Sequence, residues 1–384
     1  LRETALALSG FRKRDLYGVD LSLRRETTIR DLMHHEEQVK QNERDRVSAN
    51  LRRFGVDLFQ GTARFADPHT IQMDDHELLG KKILIASGSS PVRPPEFPFE
   101  DPRVHDSDQL LRMDSLPKSL AIIGAGVIGT EYACTFATLG CEVQLVDGRD
   151  LLLPFLDREV SLALEKALEK LDIKFHKNER VASCSVSRPG PIQLNCQSGK
   201  VLEVDQVLVA AGRSSNSAEL NLDTAGIVPG KRGLINVNEY YQTSVPHIYA
   251  AGDVIGFPAL AATSAEQARV AICHAFGMRA KSKLSTLLPT GIYTIPEVSM
   301  VGETEESLKQ KGVDYLVGRA SYAGNARGQI IGDDSGFLKL LFRKADGKLL
   351  GVHVIGELAS EVVHVGLVAM LTDSRAGLFD RTCF

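Results

Sequence analysis

The chain has 384 residues, of which 43% are hydrophobic and 24% charged, as is typical of a globular protein with two or three domains. Its formal net charge of −4 gives no reason to expect nucleic acid or an anionic membrane as a partner. No apolar run approaches the roughly 20 residues that span a bilayer, and no signal peptide pattern is present, so we expect a cytoplasmic protein.

The first predicted element is a long helix. From Thr27 to Phe54 the segment is rich in charge, and its apolar residues recur mostly at spacings of three or four. This spacing predicts an amphipathic helix with one packed face. Two short β-rich runs follow, "FQGTARFADPHTIQM" and "KKILIASGSSPVRPP", each closed by Gly and Pro turns.

The middle of the chain predicts a β-α-β unit. A strand at Leu120–Ile123 leads into a glycine-rich turn, a helix to Gly140 and a second strand, "CEVQLVD". A further helix (159–171) and strands around "IKFHKNERV", "IQLNCQ" and "QVLVAAG" follow. The segment "HIYAAGDVIG" and its helix then indicate a return to an earlier sheet. After Leu287, the chain reads as strands and hairpins, with one turn at Asp346-Gly347.

The glycine-rich turn, "GAGVIG", carries the spacing of a dinucleotide site. Gly124 allows a tight turn, Gly126 lets backbone amides approach a pyrophosphate, and Gly129 lets helix and strand pack closely. The amino-terminal turn of the helix, at Val127 and Ile128, supplies N–H groups and the positive dipole end for the phosphates.

An acidic residue at the end of the second strand completes this pattern. Asp147 lies 23 residues beyond Gly124 and can accept both hydrogen bonds of an adenosine ribose diol, which is typical of NAD sites. Arg149 follows two residues later and can meet the 2′-phosphate of NADP; alternatively, it is a solvated surface arginine. If both residues function, the pocket accepts both nucleotides, and the preference between them stays open.

Other catalytic signals are weak. The sequence has no G-x-S-x-G, Walker or H-E-x-x-H motif. His353, Glu357, Glu361 and His364 have helix-like spacing for metal ligands, but "LLGVHVIG" reads as a strand, so we expect a core or interface role and no metal site. None of the cysteines forms a C-x-x-C pair, and we expect reduced, mostly buried thiols. The cysteines stand at positions 134, 141, 184, 196, 273 and 383.

Four further segments carry a family resemblance. These are "GTARF" (61–65), "ILIASGSSP" (83–91), "VLVAAGRSSN" (207–216) and "IYAAGDV" (248–254). In this order they resemble the flavin-dependent pyridine nucleotide–disulfide oxidoreductases. The resemblance implies an α/β fold in which an FAD-binding Rossmann-like domain (1–116 and 246–286) is interrupted by a second, NAD(P)-binding one (117–245). An α+β interface domain (287–384) would follow and support a homo-oligomer.

The resemblance also implies roles for individual residues. Asp253 would hydrogen-bond the sugar-alcohol chain of the flavin, and Glu131 would lie near the nicotinamide, although an acid favoured by the helix dipole is an equal interpretation of Glu131. No other catalytic side chain is implied. The FAD residues are Thr62, Ala63, Ser87, Gly88, Gly252, Asp253 and Ala261. The NAD(P) residues are Gly124, Gly126, Val127, Ile128, Gly129, Glu131, Asp147, Arg149 and Gly212.

Three segments narrow the resemblance within the family. Residues 101–111, 287–308 and 356–366 are most similar to the soluble pyridine nucleotide transhydrogenases of bacteria. This implies hydride transfer from NADPH to NAD through FAD, the Si-specific NAD(P)⁺ transhydrogenase reaction, with the nicotinamide stacked on the flavin. Two alternatives stay open: a disulfide reductase of the dihydrolipoamide dehydrogenase type, and a non-catalytic NAD(P)-binding fragment.

The ends of the sequence raise a separate expectation. The family's flavin domain opens with its own G-x-G-x-x-G, and the chain begins at "LRETALALSG". Its last residues, "GLFDRTCF", halt before the family's final interface segment. We therefore expect a fragment of a longer protein, with weak flavin binding and an interface domain too short to make dimerisation certain.

Overall fold

The computed structural model describes residues 1–9 and 28–382. Within these ranges the helices are α1 Arg2–Ser9, α2 Ile29–Arg53, α3 Val127–Thr138, α4 Arg158–Lys170, α5 Ala261–Ala275, α6 Glu305–Gln310, α7 Ala326–Ile331, α8 Ala359–Leu371 and α9 Ala376–Arg381. None of these helices is both long and apolar enough to cross a membrane.

The strands of the described ranges lie between Ala63 and Ile355. They are β1 Ala63–Phe65, β2 Thr70–Met73, β3 His76–Leu79, β4 Ile83–Ile85, β5 Ser89–Pro91, β6 Val104–Asp106, β7 Ser119–Ile123, β8 Glu142–Val146, β9 Lys174–His176, β10 Val181–Val186, β11 Ile192–Cys196, β12 Val201–Val204, β13 Gln206–Val209, β14 Arg213–Ser215, β15 Ile248–Ala250, β16 Thr290–Ile292, β17 Val298–Gly302, β18 Tyr315–Ser321, β19 Phe337–Arg343 and β20 Leu349–Ile355.

The chain divides into two compact units. The first unit comprises Leu1–Gln41, Arg93–Ala211 and Leu287–Phe384, and the second comprises Asn42–Val92 and Gly212–Thr286.

A five-stranded parallel sheet forms the centre of the first unit. Its strand order is β6-β13-β7-β8-β9, with every pair parallel. The strands carry near-continuous apolar runs because parallel strands are covered on both faces, and Leu120, Ile122 and Leu145 are fully buried. The predicted β-α-β unit is β7-α3-β8. The helix predicted at 159–171 is α4, for which Asp157 is the amino-terminal cap.

Two antiparallel sheets complete the first unit. One has the order β10-β11-β12, and the other has the order β16-β17-β20-β19-β18. The turn predicted at Asp346-Gly347 connects β19 and β20, and Gly347 takes the left-handed conformation there (φ 69°). Helix α8 buries Val363 and Ala369, which share an apolar cluster with Val352 of β20.

The second unit is built around short strands. Strand β15 pairs in parallel with β4, as expected for a return to an earlier sheet. Strands β5 and β14 pair antiparallel, and β1-β2-β3 form a small antiparallel sheet. Phe65, Ile85, Ile248 and Val254 lie in one buried cluster. The predicted α/β fold class is thus confirmed in the elements of both units.

The prediction for α2 is only partly correct. Its first turns bury Ile29, Leu32 and Met33, but Val39 is 47% and Val47 is 49% exposed. The later apolar residues stand singly among charged ones, so they do not form the continuous stripe that a packed helix face needs. The first predicted residue, Thr27, lies outside the described residues.

Candidate functional site

The glycine-rich turn between β7 and α3 has a conformation that its glycines allow. Gly124 has φ 105°, and a Cβ there would lie 2.5 Å from the carbonyl oxygen of Ala210. A Cβ on Gly129 would collide with the carbonyl oxygen of Gly124. At Gly126, by contrast, nothing lies within 4 Å of the Cβ position. Gly124 and Gly129 are therefore required by packing, whereas the space beside Gly126 is open.

The open space lies at the start of α3. Gly126 is the N-cap, and Val127 and Ile128 are the first two residues of the helix, whose backbone N–H groups have no partner inside it. Space beside a glycine, unpaired amides and the helix dipole form a cradle for a pyrophosphate. The residues present therefore fit an NAD(P) nucleotide.

A cleft of about 410 Å³ adjoins this turn within the first unit. Its lining includes Gly124, Asp147, Gly148, Arg149 and Arg180. Asp147 is tied to the turn because its Oδ2 accepts a hydrogen bond of 2.7 Å from the amide of Ala125. The two predicted ribose-recognition residues therefore lie in one cleft with the first glycine of the phosphate turn.

Asp147 and Arg149 are paired with each other. The guanidinium of Arg149 donates from Nε to Oδ1 at 2.8 Å and from Nη2 to Oδ2 at 2.6 Å. Burial alone would raise the pKa of Asp147, but hydrogen bonds from Arg149 and from the amide of Ala125 hold it below its usual value. The carboxylate is therefore ionised, and its bidentate partner is 47% exposed.

Sequence reasoning missed two residues of this cleft, Glu179 and Arg180. They follow β9, whose carboxyl end lies beside that of β8 in the parallel sheet. Ligands of open α/β sheets collect at the carboxyl ends of the strands, so the position of "NER" after the strand "IKFHK" is the signal that could have found them.

Glu131 lies in the second turn of α3. Its Oε1 accepts a hydrogen bond of 2.8 Å from the backbone amide of Tyr293. Burial raises the pKa of Glu131 above its usual value, against the opposing effects of this bond and of the positive charge of Arg2. The contact fits either interpretation of Glu131, and a role near a nicotinamide stays a prediction.

The predicted flavin residues of the second unit include a polar cluster. Ser89 donates from Oγ to Oδ2 of Asp253 at 2.7 Å, and Arg213 donates from Nε to Oγ of Ser89 at 2.8 Å. Within the described ranges, Oδ1 of Asp253 has no hydrogen bond. Gly88 has φ 73°, with nothing within 4 Å of its Cβ position. A carboxylate with a free oxygen beside an open glycine fits the hydroxyl-bearing chain of a flavin nucleotide.

The other predicted binding residues are spread over the second unit. Ala63 begins β1, directly after Thr62, and Ala261 begins α5. Gly252 has φ 80° and donates its amide hydrogen bond to Oε1 of Gln267 at 2.8 Å. Gly212 has φ 103° and precedes β14. Ser87 accepts a hydrogen bond on its carbonyl oxygen from Asn216. Their roles toward FAD and NAD(P) stay predictions.

Acidic groups cluster at a second place in the first unit. Asp157, Glu159 and Glu305 have carboxylate oxygens close enough together to hold a cation. The ammonium of Lys339 already fills this position, at 2.7 Å from Asp157, 2.9 Å from Glu159 and 2.5 Å from Glu305. The cluster is thus an ion-pair network around a fully buried ammonium rather than a metal-binding site. His353 lies fully buried on β20, the strand predicted for it.

The described cysteines are free thiols. Cys134, Cys196 and Cys273 are buried, as expected, whereas Cys141 and Cys184 are half-buried. Burial raises the pKa of Cys134 to about 12, so this thiol stays protonated and unreactive at neutral pH. Cys383 lies outside the described residues.

Two family models match the chain. "Pyridine nucleotide-disulphide oxidoreductase" matches residues 8–274, and the dimerisation domain of the same family matches residues 288–384. Among curated proteins, the soluble pyridine nucleotide transhydrogenase of Mycobacterium tuberculosis is 45% identical over 376 residues, 96% of this chain and 80% of the relative. The protein of the same name from Erwinia tasmaniensis is 39% identical over 375 residues, with the same coverage.

Solved structures share the fold over the whole chain. The HOCl-induced flavoprotein disulfide reductase RclA from Escherichia coli has a TM-score of 0.87 at 26% identity, covering 99% of this chain and 86% of its own. LpdA from Mycobacterium tuberculosis has a TM-score of 0.89 at 25% identity, covering 100% and 85%. The predicted architecture of nucleotide-binding Rossmann-like domains with an interface domain is therefore confirmed. The chain belongs to the pyridine nucleotide-disulphide oxidoreductase family and carries the dimerisation domain of that family.

Proposed function

We propose that this protein is an FAD-dependent transhydrogenase that moves hydride from NADPH to NAD. The observation that carries the proposal is the cleft beside the phosphate turn. There, an ionised carboxylate suited to a ribose diol lies in one cleft with the guanidinium groups of Arg149 and Arg180, positive charges of the kind that a 2′-phosphate needs. The names of the relatives at 39–45% identity support the same reaction.

The protein's contribution to this reaction is binding and orientation. When bound, FAD would supply a carrier that accepts a hydride and returns it. Gly126 and the amides at the start of α3 would hold the pyrophosphate of either nicotinamide nucleotide. Asp147 would accept from the ribose diol of NAD. No side chain has to donate or remove a proton in a hydride transfer of this kind.

A second candidate is disulfide reduction. It is favoured by the name of the structural neighbour RclA, at 26% identity. The more similar relatives, at up to 45% identity, favour transhydrogenation. The two functions differ in the electron acceptor, so one assay with both acceptors distinguishes them.

The test is reduction of thio-NAD by NADPH, followed at the wavelength of reduced thio-NAD with added FAD. We expect turnover by the wild type and a loss of at least tenfold in Gly126→Ala, because the new methyl group stands where the pyrophosphate must approach. The control is lipoamide, the disulfide that NADPH would reduce to dihydrolipoamide. Reduction of the disulfide without reduction of thio-NAD would favour the second candidate, and activity with neither acceptor would favour a non-catalytic nucleotide-binding protein.

Gly126→Ala is expected to fold normally because its Cβ meets no atom within 4 Å and the backbone is extended there (φ −78°). Gly129→Ala is its matched counterpart. Its Cβ collides with the carbonyl oxygen of Gly124, so this variant should lower the melting temperature as well as activity. Equal melting temperatures for the two variants would contradict the division of roles between these glycines.

We further propose that the protein acts in the cytoplasm as a homo-oligomer assembled through its dimerisation domain. The supporting observation is the outer face of α8, where Val365, Val368 and Leu371 are each more than half exposed. Val365 and Val368, together with Leu378 and Phe379, line an apolar groove, a surface that monomers rarely leave open. Analytical ultracentrifugation should give a dimer for the wild type and a monomer for Val368→Glu; a wild-type monomer would contradict the proposal.

A further inference from the structure

Arg180 has an unusual position in the nucleotide cleft. Its guanidinium lies directly over Gly148, the residue between Asp147 and Arg149. A Cβ on Gly148 would lie 2.8 Å from Nε and 3.0 Å from Cζ of Arg180. Arg180 therefore approaches the backbone of the recognition turn at the residue that carries no side chain.

The two arginines of the cleft differ in their partners. Arg149 is engaged in a bidentate ion pair with Asp147. The guanidinium of Arg180 makes no hydrogen bond or ion pair with any residue in the described ranges, although its backbone groups bond to Glu179 and Gln197. Arg180 is exposed. Five N–H donors therefore face the cleft without a protein acceptor.

The neighbouring acid does not neutralise Arg180. Glu179 directs Oε1 to the amides of Arg180 and Ser198, at 3.0 Å and 3.3 Å, and Oε2 to the hydroxyl of Ser198. The hydroxyl of Ser198 is the main cause of a pKa of Glu179 below its usual value. The carboxylate is held by these donors and stays ionised, and it does not form an ion pair with Arg180.

We propose that Arg180 is the residue that binds the 2′-phosphate of NADPH in this cleft. The inference rests on the proposed function, because it deepens the recognition of the hydride donor. A 2′-phosphate carries nearly two negative charges. The Asp147–Arg149 ion pair has no net positive charge with which to balance them. If Arg149 left Asp147 to bind the phosphate, the ionised carboxylate of Asp147 would lie unpaired beside a second anion. A guanidinium without a protein partner meets the phosphate without breaking that pair.

The arrangement also explains how one cleft can admit two nucleotides. With NAD bound, Asp147 accepts hydrogen bonds from the ribose diol, and Arg180 stays unpaired because NAD has no 2′-phosphate. With NADPH bound, Arg180 takes the phosphate, while Arg149 continues to neutralise Asp147. Arg180 is thus a specificity-determining residue for the nucleotide that carries the phosphate.

The test is isothermal titration calorimetry of the purified protein with 2′,5′-ADP, which carries the 2′-phosphate, and with 5′-AMP, which lacks it. Neither probe contains a nicotinamide, so binding is measured without turnover. We expect Arg180→Gln to weaken 2′,5′-ADP roughly 10- to 100-fold, the usual loss for charged hydrogen bonds, and to change 5′-AMP less than about twofold. Lys166 is an exposed lysine on α4. Lys166→Gln is therefore the charge-matched control and should change the affinity for neither probe.

Unchanged binding of 2′,5′-ADP to Arg180→Gln, with the whole loss found in Arg149→Gln, would overturn the proposal in favour of Arg149. Equal weakening of both probes would also overturn it, since Arg180 would then serve the common part of the nucleotide. Retained binding of 5′-AMP shows that the variant is folded. If the wild type distinguishes the probes as expected but transfers no hydride, the proposed function fails while this assignment stands.

Discussion

The first unit contains two clusters of acidic and basic residues that differ in what their charges do. The recognition cluster, Asp147, Arg149 and Arg180, faces the nucleotide cleft, and the side chain of Arg149 is 47% exposed. The buried cluster gathers Asp157, Glu159 and Glu305 around Lys339, which is fully buried on β19. The recognition cluster presents its charges to the cleft, whereas the charges of the buried cluster are paired with one another and with Arg319, which donates to Glu159.

The difference shows how burial decides what an ion pair does. Exposed pairs contribute little to stability because water competes for both partners, which leaves them available for recognition. A buried pair cannot lose one partner without leaving an uncompensated charge. Lys339 on β19 also joins the cap of α4 to the first turn of α6, since Asp157 and Glu305 belong to those segments. We therefore expect substitutions to affect stability in the buried cluster and nucleotide affinity in the recognition cluster.

The largest expected effect is that of Lys339→Met. Removing the ammonium leaves the buried carboxylate of Asp157 beside Glu159 and Glu305 without its cation, and we expect a loss of about 3–5 kcal/mol in stability. Because the chain contains no tryptophan, the melting temperature is best followed by circular dichroism. The matched control is Lys309→Met. The side chain of Lys309 is 64% exposed, and its ammonium lies as far as 3.8 Å from the carboxylate of Glu305, so its ion pair is weak. Similar melting temperatures for the two variants would contradict the comparison.

The effect of Lys339 should depend on pH. Burial alone would raise the pKa of Glu305, but hydrogen bonds from Lys339 and Tyr315 hold it below 4.5. Hydrogen bonds from Arg319, and then from Lys339, lower the pKa of Glu159 against burial. A lowered carboxyl pKa contributes stability above the unfolded value and loses it as the pH falls through the folded value.

The difference in melting temperature between the wild type and Lys339→Met is therefore expected to be full near pH 7 and to shrink below about pH 4.5. The pKa of Lys339 is raised above 10.5 by its carboxylate partners, against the effect of burial, so its charge is constant over this range. Melting curves between pH 7 and pH 3 check this expectation, and a constant difference would refute it.

Asp147→Asn should have an intermediate effect, on affinity rather than on stability. An ionised acceptor for the ribose diol is lost, so 5′-AMP should bind about tenfold more weakly. Arg149 is released at the same time, so 2′,5′-ADP should bind as well as before or better. Calorimetric titration of both nucleotides checks the prediction. A parallel loss for both would show that Asp147 acts on the turn, through the amide of Ala125, and not on the ribose.

The smallest expected effect is that of Arg149→Gln on stability. Half-exposed ion pairs contribute no more than about 1 kcal/mol, so the melting temperature should change by no more than a few degrees. A loss comparable with that of Lys339→Met would mean that the recognition cluster is structural, and the comparison between the two clusters would fail.

The sequence predicts most of the phosphate turn and little of the charge networks. Gly124, Gly126, Gly129 and Asp147 follow from local spacing, because a β-α-β unit fixes their positions within about 28 residues. Arg180 lies outside that unit and reaches the cleft only through the order of strands in the sheet.

Two of the partners of Lys339, Asp157 and Glu159, are further still from it in sequence. Asp157 is 182 residues away, and only the tertiary fold joins them. Helix α2 shows a different limit. Its apolar spacing predicts a helix correctly, but not which part of that helix is packed.

The central claim is that one cleft serves NADPH and NAD in turn. Initial velocities of thio-NAD reduction, measured with both nucleotides varied in the presence of FAD, test it most directly. The account predicts parallel double-reciprocal lines, the kinetic pattern of a ping-pong reaction, with 2′,5′-ADP competing against NADPH. Intersecting lines would show that both nucleotides are bound at once and would contradict it.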